Sequence, residues 1–125
     1  MPLSLRFHNT PLSIGKLDSG AEAPAAILAQ PLTCFFRTHN EATLICPTEL
    51  MPADIESESG FIALEFIGPF DFALTGILTQ VAVPLAEAGI SIIALSSFAT
   101  DYVLIKAAQR DATVVALCKA AHSFV

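Results

Sequence analysis

The residues from Asp71 to Gly76 offer the clearest chemistry in the sequence, because they lie between a predicted strand end and a predicted helix start. A helix start carries backbone N–H groups without intrahelical partners and the positive end of the helix dipole, and both favour a carboxylate. Gly76 has no Cβ and lets a ligand approach the backbone closely. A structural role fits the same residues, with Asp71 as an N-cap or turn residue and Thr75 as a helix cap without ligand contact.

The histidines are weak candidates for a metal site. His8, His39 and His122 are far apart in the sequence, whereas zinc-binding histidines are usually closely paired. The acids of the stretch Glu49–Glu58 lack the residue order and the glycine of a calcium-binding EF-hand loop. We therefore predict neither a metal nor a cofactor, and we interpret the acidic stretch as a solvated linker.

The three cysteines, Cys34, Cys46 and Cys118, form no CxxC pair, and their odd number without a secretory signal indicates reduced thiols. A thiol enzyme that uses Cys34 and His39 stays an open alternative, because such partners meet in space rather than in sequence. No glycine-framed nucleophile or helix start follows Cys34 to activate it. We therefore predict that the protein is not an enzyme.

Length, charge and hydropathy limit the classes to which the chain can belong. With 125 residues, 54% of them hydrophobic, it can form one compact domain or two very small ones that share a core. The formal net charge of −6 and the scattered basic residues argue against nucleic acid as a partner. The longest charge-free run, Phe72–Ala86, contains Pro84 and is shorter than the ~18 apolar residues of a membrane span. Since the N-terminus lacks a signal peptide, we expect a cytoplasmic protein without membrane contact.

The C-terminal half has the firmer secondary-structure pattern. A strand over Phe61–Ile67 precedes a helix that is predicted to continue through Pro84 and to end at a left-handed Gly89. The helix is predicted from one apolar stripe at helical spacing: Leu74, Ile77, Leu78, Val81, Leu85 and Ala88. Strands over Ile90–Ser96 and Tyr102–Lys106, a helix over Asp111–Ala120 and a last strand over His122–Val125 complete the order βαββαβ. This order is the ferredoxin-like arrangement.

The N-terminal half is richer in predicted strands. Two strands over Leu3–His8 and Leu12–Leu17 are separated by a break at residues 9–11, and a short helical turn is predicted over Ala23–Gln30. Runs over Leu32–Arg37 and Ala42–Cys46 predict a hairpin across Thr38–Glu41, with Asn40 able to adopt positive φ. Prolines and acids interrupt the apolar pattern over Pro47–Gly60, which predicts a linker and the domains 1–57 and 58–125.

Three segments resemble the ACT domain, specifically the tandem-ACT group that includes the CASTOR-type amino-acid sensors. They are the loop residues Phe70, Asp71, Phe72, Leu74, Thr75 and Gly76, the helix end from Pro84 to Ile90, and the hairpin residues Ser96, Ser97, Phe98, Thr100, Asp101 and Tyr102. The stretch from Arg37 to Cys46 is similar to the first half of the tandem pattern. The resemblance implies an α+β, ferredoxin-like ACT domain, with a smaller, β-rich ACT-like N-terminal half packed against it.

The resemblance also implies a function, namely a regulatory protein that binds a small molecule, an amino acid above all, and has no chemistry of its own. The ligand-binding residues that it implies are Asp71, Leu74, Thr75, Gly76, Phe98, Ala99, Thr100 and Asp101. An amino acid would set its carboxylate on the amides of residues 75–77, its ammonium near Asp101 or Asp71, and its side chain against Phe98. Asp101 also fits a purely structural role at the hairpin turn.

The resemblance implies partners as well. ACT units of the family pair side by side or through helices, so we expect a homodimer or a larger homo-oligomer that holds the ligand between ACT units. A regulated enzyme is a further expected partner. The alternative is an interaction module that regulates a separate enzyme or transporter through its sheet surface, without binding a ligand itself.

Overall fold

The computed structural model describes residues 2–71 and 73–125, so Phe72, a residue of the ACT resemblance, lies outside the described residues. By contacts, the chain divides into a larger unit, Met1–Asn9 with Ile62–Val125, and a smaller unit, Thr10–Phe61. The first nine residues thus belong to the same unit as the C-terminal residues, whereas the predicted N-terminal half, residues 1–57, includes them. That residues 1–57 and 58–125 form two packed ACT-like halves stays a prediction.

The described residues form seven strands and three helices. The strands are β1 (Ser4–Leu17), β2 (Cys34–Arg37), β3 (Ala42–Pro47), β4 (Glu56–Phe66), β5 (Ile93–Ser96), β6 (Asp101–Lys106) and β7 (Ser123–Phe124). The helices are α1 (Ala25–Leu28), α2 (Ile77–Glu87) and α3 (Arg110–Lys119), and short 3₁₀ turns follow β3 at Thr48–Leu50 and β6 at Ala107–Gln109. Strands β1 and β4 are long enough to contribute residues to both units.

In the larger unit the elements β4-α2-β5-β6-α3-β7 follow the predicted βαββαβ order. The strand order in space is β7-β1-β4-β6-β5, with β5 antiparallel to β6 and β7 parallel to β1. In a ferredoxin-like sheet the last strand lies beside the first, but here β1 takes that place. The N–H groups of Ser123 and Val125 donate to the carbonyls of Leu3 and Leu5, so β7 is displaced to the outside of β1.

In the smaller unit the strand order is β2-β3-β1-β4. The predicted hairpin of β2 and β3 is confirmed, and the N–H of Thr38 donates to the carbonyl of Glu41 at 2.8 Å. The prediction for Asn40 is wrong, because the non-glycine residues of positive φ in the described chain are Leu32 and Ala121. Thr38 Oγ1 instead accepts the N–H of Asn40 and holds the turn without a left-handed residue at that position.

The predicted strand break at residues 9–11 is also wrong, since β1 is continuous. Its pairs with β7 involve Ser4 and Leu5, and its pairs with β3 begin at Leu12. Pro11 lies between these two ladders, so its missing N–H removes a bond from neither.

The linker predicted over Pro47–Gly60 is wrong for most of its length, because a 3₁₀ turn covers Thr48–Leu50 and β4 begins at Glu56. Residues 56–60 of β4 are all exposed. Because β4 pairs with β1 in the sheet, a polar sequence with acids in solvent can still form part of a strand. The composition of this stretch reports its exposure rather than a lack of structure.

Each unit has its own apolar cluster. In the larger unit α2 and α3 cover one sheet face with Ile77, Val81, Leu85 and Leu117, against residues of β1, β4 and β6 such as Leu5, Phe66 and Ile105. The predicted α2 stripe is confirmed at its centre, whereas Leu74 and Ala88 are exposed. In the smaller unit Ile27 of α1 packs with Leu44 and Cys46 of β3. Within residues 2–71 and 73–125, no helix has both the length and the apolar character that crossing a bilayer requires.

Helix α2 continues through Pro84, as predicted. A proline inside a helix leaves the carbonyl four residues earlier, here Gln80, without its usual donor. The Nε2 of buried His122 lies 3.0 Å from that carbonyl oxygen and therefore donates to it. Nδ1 then accepts the N–H of Leu3 at 3.0 Å, so one neutral histidine satisfies two backbone groups.

The two long helices end in the same way. At the end of α2 the N–H of Ile90 donates to the carbonyl of Leu85, and the N–H of Gly89 donates to that of Ala86. At the end of α3 the backbone N–H of His122 donates to the carbonyl of Leu117, and that of Ala121 donates to the carbonyl of Cys118. This is the paired bonding of a Schellman motif, which needs a left-handed residue after the helix. Gly89 has φ 74° and Ala121 has φ 75°, so the same conformation is held by glycine in one helix and by alanine in the other. The predicted left-handed Gly89 is confirmed.

Candidate functional site

The loop before α2 and the turn between β5 and β6 meet around one small cavity in the larger unit. The cavity has a volume of about 150 Å³. Its walls are Phe70, Asp71, Leu74 and Ile77 on the loop side and residues 96–101 on the hairpin side. We call it the loop–hairpin cavity.

The loop is held against the hairpin by backbone contacts. The N–H of Phe70 donates to the carbonyl of Ala99 at 2.8 Å. A Cβ on Gly68 would lie 3.1 Å from the same carbonyl oxygen, so a glycine permits this close approach. Asp71 Oδ1 accepts the N–H of Ala73 at 2.9 Å, so the structural role considered for Asp71 as a turn residue is present.

The start of α2 differs from the prediction. Gly76 is the N-cap residue, with φ 80°, and no side chain of the described residues caps the helix, so the prediction of Thr75 as a cap is wrong. Neither Thr75 nor Gly76 lines the loop–hairpin cavity. Gly76 instead borders a second cavity of about 470 Å³, which also contacts His122 and Pro84. The uncapped amides at the helix start remain a favourable place for an anionic group.

The hairpin turn is fixed by its own side chains. The N–H and the hydroxyl of Ser97 both donate to the carbonyl of Thr100, at 2.8 and 3.0 Å. The Thr100 hydroxyl donates to the carbonyl of Phe66 at the end of β4, which ties the turn to the sheet. The ring of Phe98 is 84% exposed at the rim of the cavity.

The cavity is electronegative, because two acids, Asp71 and Asp101, line it together with neutral residues. Asp101 Oδ1 accepts the hydroxyl of Ser96 at 2.6 Å, and the two residues are cross-strand partners. On the next residue of β6, burial raises the pKa of the Tyr102 phenol, and the nearby Glu65 carboxylate raises it further. The two carboxylates that line the cavity, Asp71 and Asp101, favour a cationic group there.

Six of the eight predicted ligand-binding residues come together at this cavity. They are Asp71, Leu74, Phe98, Ala99, Thr100 and Asp101, while Thr75 and Gly76 lie outside it. Ser96 was not among the predicted residues, although the hairpin register, which pairs it with Asp101, could have identified it. The role of all these residues in ligand binding stays a prediction.

The other reactive side chains do not form a comparable site. Among the described residues no three His, Cys, Asp or Glu side chains form a group that could hold a metal ion. Cys34, Cys46 and Cys118 are free thiols, and burial raises the pKa of the Cys46 thiol. A buried thiol with a raised pKa is a poor nucleophile.

Known structures share this architecture. A protein from Agobacterium tumefaciens solved by a structural genomics consortium is 29% identical, with a TM-score of 0.93, over 100% of this chain and 93% of that one. A protein of unknown function from Vibrio cholerae is 20% identical, with a TM-score of 0.75, over 95% and 90% of the two chains. The regulatory subunit of aspartate kinase from Thermus thermophilus is 14% identical, with a TM-score of 0.59, over 93% and 95%.

Sequence comparison agrees with the fold. No curated protein matches the chain significantly. Residues 56–119, however, match the profile of the ACT domain, and they contain β4, α2, β5, β6 and α3 with the whole loop–hairpin cavity. This match covers more than half of the 125 residues, and the chain therefore belongs to the ACT domain family.

Proposed function

We propose that this protein is a regulatory ACT protein that binds a small molecule, preferentially an amino acid, at the loop–hairpin cavity. The observation that carries the proposal is that two acids, Asp71 of the loop before α2 and Asp101 of the hairpin, line one small cavity, which Ile77 at the start of α2 also lines. The family assignment supports a regulatory role without catalysis. A similarity in ligand to the CASTOR-type sensors is part of the proposal.

The two ends of the cavity suit the two charged ends of an amino acid. The ammonium would bind near the carboxylate of Asp101 and the hydroxyl of Ser96, which lie 2.6 Å apart at their oxygens. The carboxylate would bind toward the amides at the start of α2, where Ile77 lines the cavity and no described side chain competes. Charge-assisted bonds at both ends would orient the ligand.

The size of the cavity supports an assembled site. Its volume of about 150 Å³ is below the roughly 300–1,000 Å³ of usual ligand pockets. The exposed ring of Phe98 at its rim offers apolar area to a ligand side chain or to a second chain. We propose that a homodimer or larger homo-oligomer encloses the ligand between ACT units. The assembly would act in the cytoplasm on a regulated enzyme.

A thermal-shift screen over the twenty amino acids tests the proposal directly. A compound bound only by the native state at a hundred times its dissociation constant adds about 2.7 kcal/mol of stability, which gives a visible rise in melting temperature. At least one amino acid is expected to raise it at millimolar concentration. If none does, the amino-acid proposal is wrong.

Sedimentation tests the proposed assembly separately. We expect a dimer or larger species at micromolar protein concentration in analytical ultracentrifugation. A monomer at all concentrations, with and without the amino acid found in the screen, would contradict a ligand site between ACT units.

A second candidate is an interaction module that binds no ligand. The supporting observation is a groove of about 690 Å³ between α2 and α3, lined by alanines, Pro84 and the 68% exposed Val115, with the charged residues Glu87 and Lys119 also in its walls. Apolar area of this kind is typical of protein interfaces. This candidate predicts that no amino acid changes the melting temperature. It also predicts that Val115→Asp impairs regulation of the partner enzyme or transporter.

A further inference from the structure

The two units contain the same hairpin. Every element of the second copy begins 59 residues after its counterpart: β2 at Cys34 and β5 at Ile93, β3 at Ala42 and β6 at Asp101, and the 3₁₀ turns at Thr48 and Ala107. The cross-strand registers correspond as well, since Arg37 pairs with Ala42 and Ser96 pairs with Asp101. We call residues 34–47 the first hairpin and residues 93–106 the second hairpin.

The turns of the two hairpins also share their bonding. In the first, the N–H and hydroxyl of Thr38 donate to Glu41; in the second, those of Ser97 donate to Thr100. In both turns the hydroxyl oxygen accepts the N–H of the residue three positions later, at 3.2 Å in each case. The backbones of the two turns are therefore equivalent, and the side chains of the two hairpins can be compared position by position.

The pair that closes each turn differs in charge. The first hairpin has Arg37 and Ala42, a cation opposite an apolar residue. The second has Ser96 and Asp101, a hydroxyl opposite an anion. The same two positions thus carry a positive charge in the smaller unit and a negative charge in the larger one.

Arg37 reaches the loop that precedes α1, the counterpart of the loop that precedes α2. Its guanidinium donates to the carbonyl of Ser19 and, at 2.7 Å, to the carbonyl of Ala21. The guanidinium carbon lies 5.1 Å from the centre of the Phe35 ring, a cation–π distance. A cation supplied by the protein itself therefore bridges hairpin and loop in the smaller unit. In the larger unit the corresponding hairpin and loop line the loop–hairpin cavity instead.

We propose that the loop–hairpin cavity takes an ammonium or guanidinium group of its ligand in the position that the Arg37 guanidinium occupies in the smaller unit. The carboxylate of Asp101 binds this cation. In the smaller unit the side chain of Arg37 already fills the corresponding site, so each chain binds one ligand. The inference rests on the proposed function and specifies which part of the ligand contacts the second hairpin.

The test uses methylguanidinium and methylammonium chloride as probes, with amide chemical shifts of ¹⁵N-labelled protein as the readout. In the wild type we expect saturable shifts at residues 70–77 and 96–101, and none at residues 19–21 or 37–42. Sodium chloride at equal ionic strength controls for screening by salt.

In Ser96→Arg the new guanidinium should occupy the loop–hairpin cavity, as Arg37 does in the smaller unit, and should weaken probe binding at least tenfold. Ser91→Arg, which adds the same charge at an exposed residue outside the cavity, should change binding less than twofold. Asp101→Asn gives a second test with a side chain of equal size and should also weaken binding at least tenfold. Amide spectra of all three variants report whether the fold is intact.

The inference is overturned if neither probe shifts residues 96–101 in the wild type, or if folded Ser96→Arg and Asp101→Asn bind a probe as the wild type does. An amino acid that raises the melting temperature of Ser96→Arg as much as that of the wild type would also overturn it, while leaving the proposed function intact. An amino acid screen without any hit would instead contradict the proposed function.

Discussion

The first and second hairpins differ in chemistry while agreeing in backbone. Both consist of a four-residue strand, a four-residue turn and a six-residue strand, followed by a 3₁₀ turn of three residues. One closes its loop with a guanidinium, and the other leaves an acid beside a cavity. The comparison shows that Thr38 and Ser97 form the same turn bonds, whereas the cross-strand pair that closes each turn differs in charge.

The largest expected effect tests whether both hairpins are equally part of a core. Leu44 of the first hairpin and Ile105 of the second are fully buried. Replacing either with Ala should lower the free energy of unfolding by about 2–5 kcal/mol, because a cavity is left behind. Urea denaturation measures both losses, with Val125→Ala, at an exposed residue, as the control. A cost below about 1 kcal/mol for Leu44→Ala would mean that the smaller unit is not cooperatively packed.

The next effect concerns the charged pair of the second hairpin. Asp101→Ala should weaken binding of the amino acid found in the screen by about 1.5–3 kcal/mol, the worth of a hydrogen bond to a charged group. Isothermal titration calorimetry measures the change, and Asp111→Ala, at an exposed acid of α3, is the control. If a folded Asp101→Ala protein binds the amino acid with the affinity of the wild type, the ligand does not bind at Asp101 of the second hairpin.

A smaller effect is expected at the residues that the hairpins share. Thr38→Ala and Ser97→Ala each remove side-chain bonds within a turn. Each should cost about 0.5–1.5 kcal/mol, with the larger cost at Thr38, whose hydroxyl oxygen also accepts the N–H of Asn40. Thermal melting of the two variants beside Ser91→Ala provides the measurement. A large cost in one turn and none in the other would break the equivalence of the two turns.

The helix α3 extends the comparison, since it follows the second 3₁₀ turn and has no counterpart after the first. Ala121 holds a left-handed conformation at its end, where Gly89 serves in α2. Ala121→Gly should stabilise the protein by up to about 1 kcal/mol, and Gly89→Ala should destabilise it by a similar amount. Chemical denaturation of the pair checks both signs. A stabilising Gly89→Ala would contradict the assignment of the shared motif.

The smallest expected effect concerns the ionisation of a tyrosine that the second hairpin contains and the first does not. Tyr102 of the second hairpin corresponds to Thr43 of the first, and it is the protein's one tyrosine. Because burial and Glu65 raise its pKa, the folded phenol should ionise above its usual value near 10. The unfolded state then loses its proton first, so this contribution to stability is present below pH 10 and is lost as pH rises. Absorbance titration checks it, and Glu65→Gln should lower the pKa only part of the way, since burial remains.

The ACT fold of residues 61–125 could be predicted because its signals are local. The α2 stripe, the turn at Gly89 and the hairpin residues each fix their own element. The place of β1 beside β4 could not be predicted, because it depends on pairing between two strands that 38 residues of chain separate, for which a single sequence carries no signal. The hydrogen bond from His122 to the carbonyl of Gln80 could not be predicted for the same reason. The sequence shows only that Pro84 leaves this carbonyl without its helical donor.

The candidate site was predictable to a similar extent. Asp71 and Asp101 are visible in the sequence as the acids of a loop and a turn, and the structure brings both to one cavity. The exclusion of Thr75 and Gly76 depends on where α2 begins, and a helix boundary is the least certain part of any prediction from sequence. The role of Arg37 depends on two carbonyl contacts outside its own hairpin, which a strand pattern does not report.

Hydrogen–deuterium exchange, with and without the amino acid that raises the melting temperature most, tests the central claim most directly. A ligand in the loop–hairpin cavity should slow exchange of the amides of residues 70–79 and 96–101. Exchange at residues 19–21 and 37–42, where Arg37 already closes the site, should not change. Protection confined to the first hairpin, or to the facing surfaces of α2 and α3, would contradict a ligand site at the second hairpin.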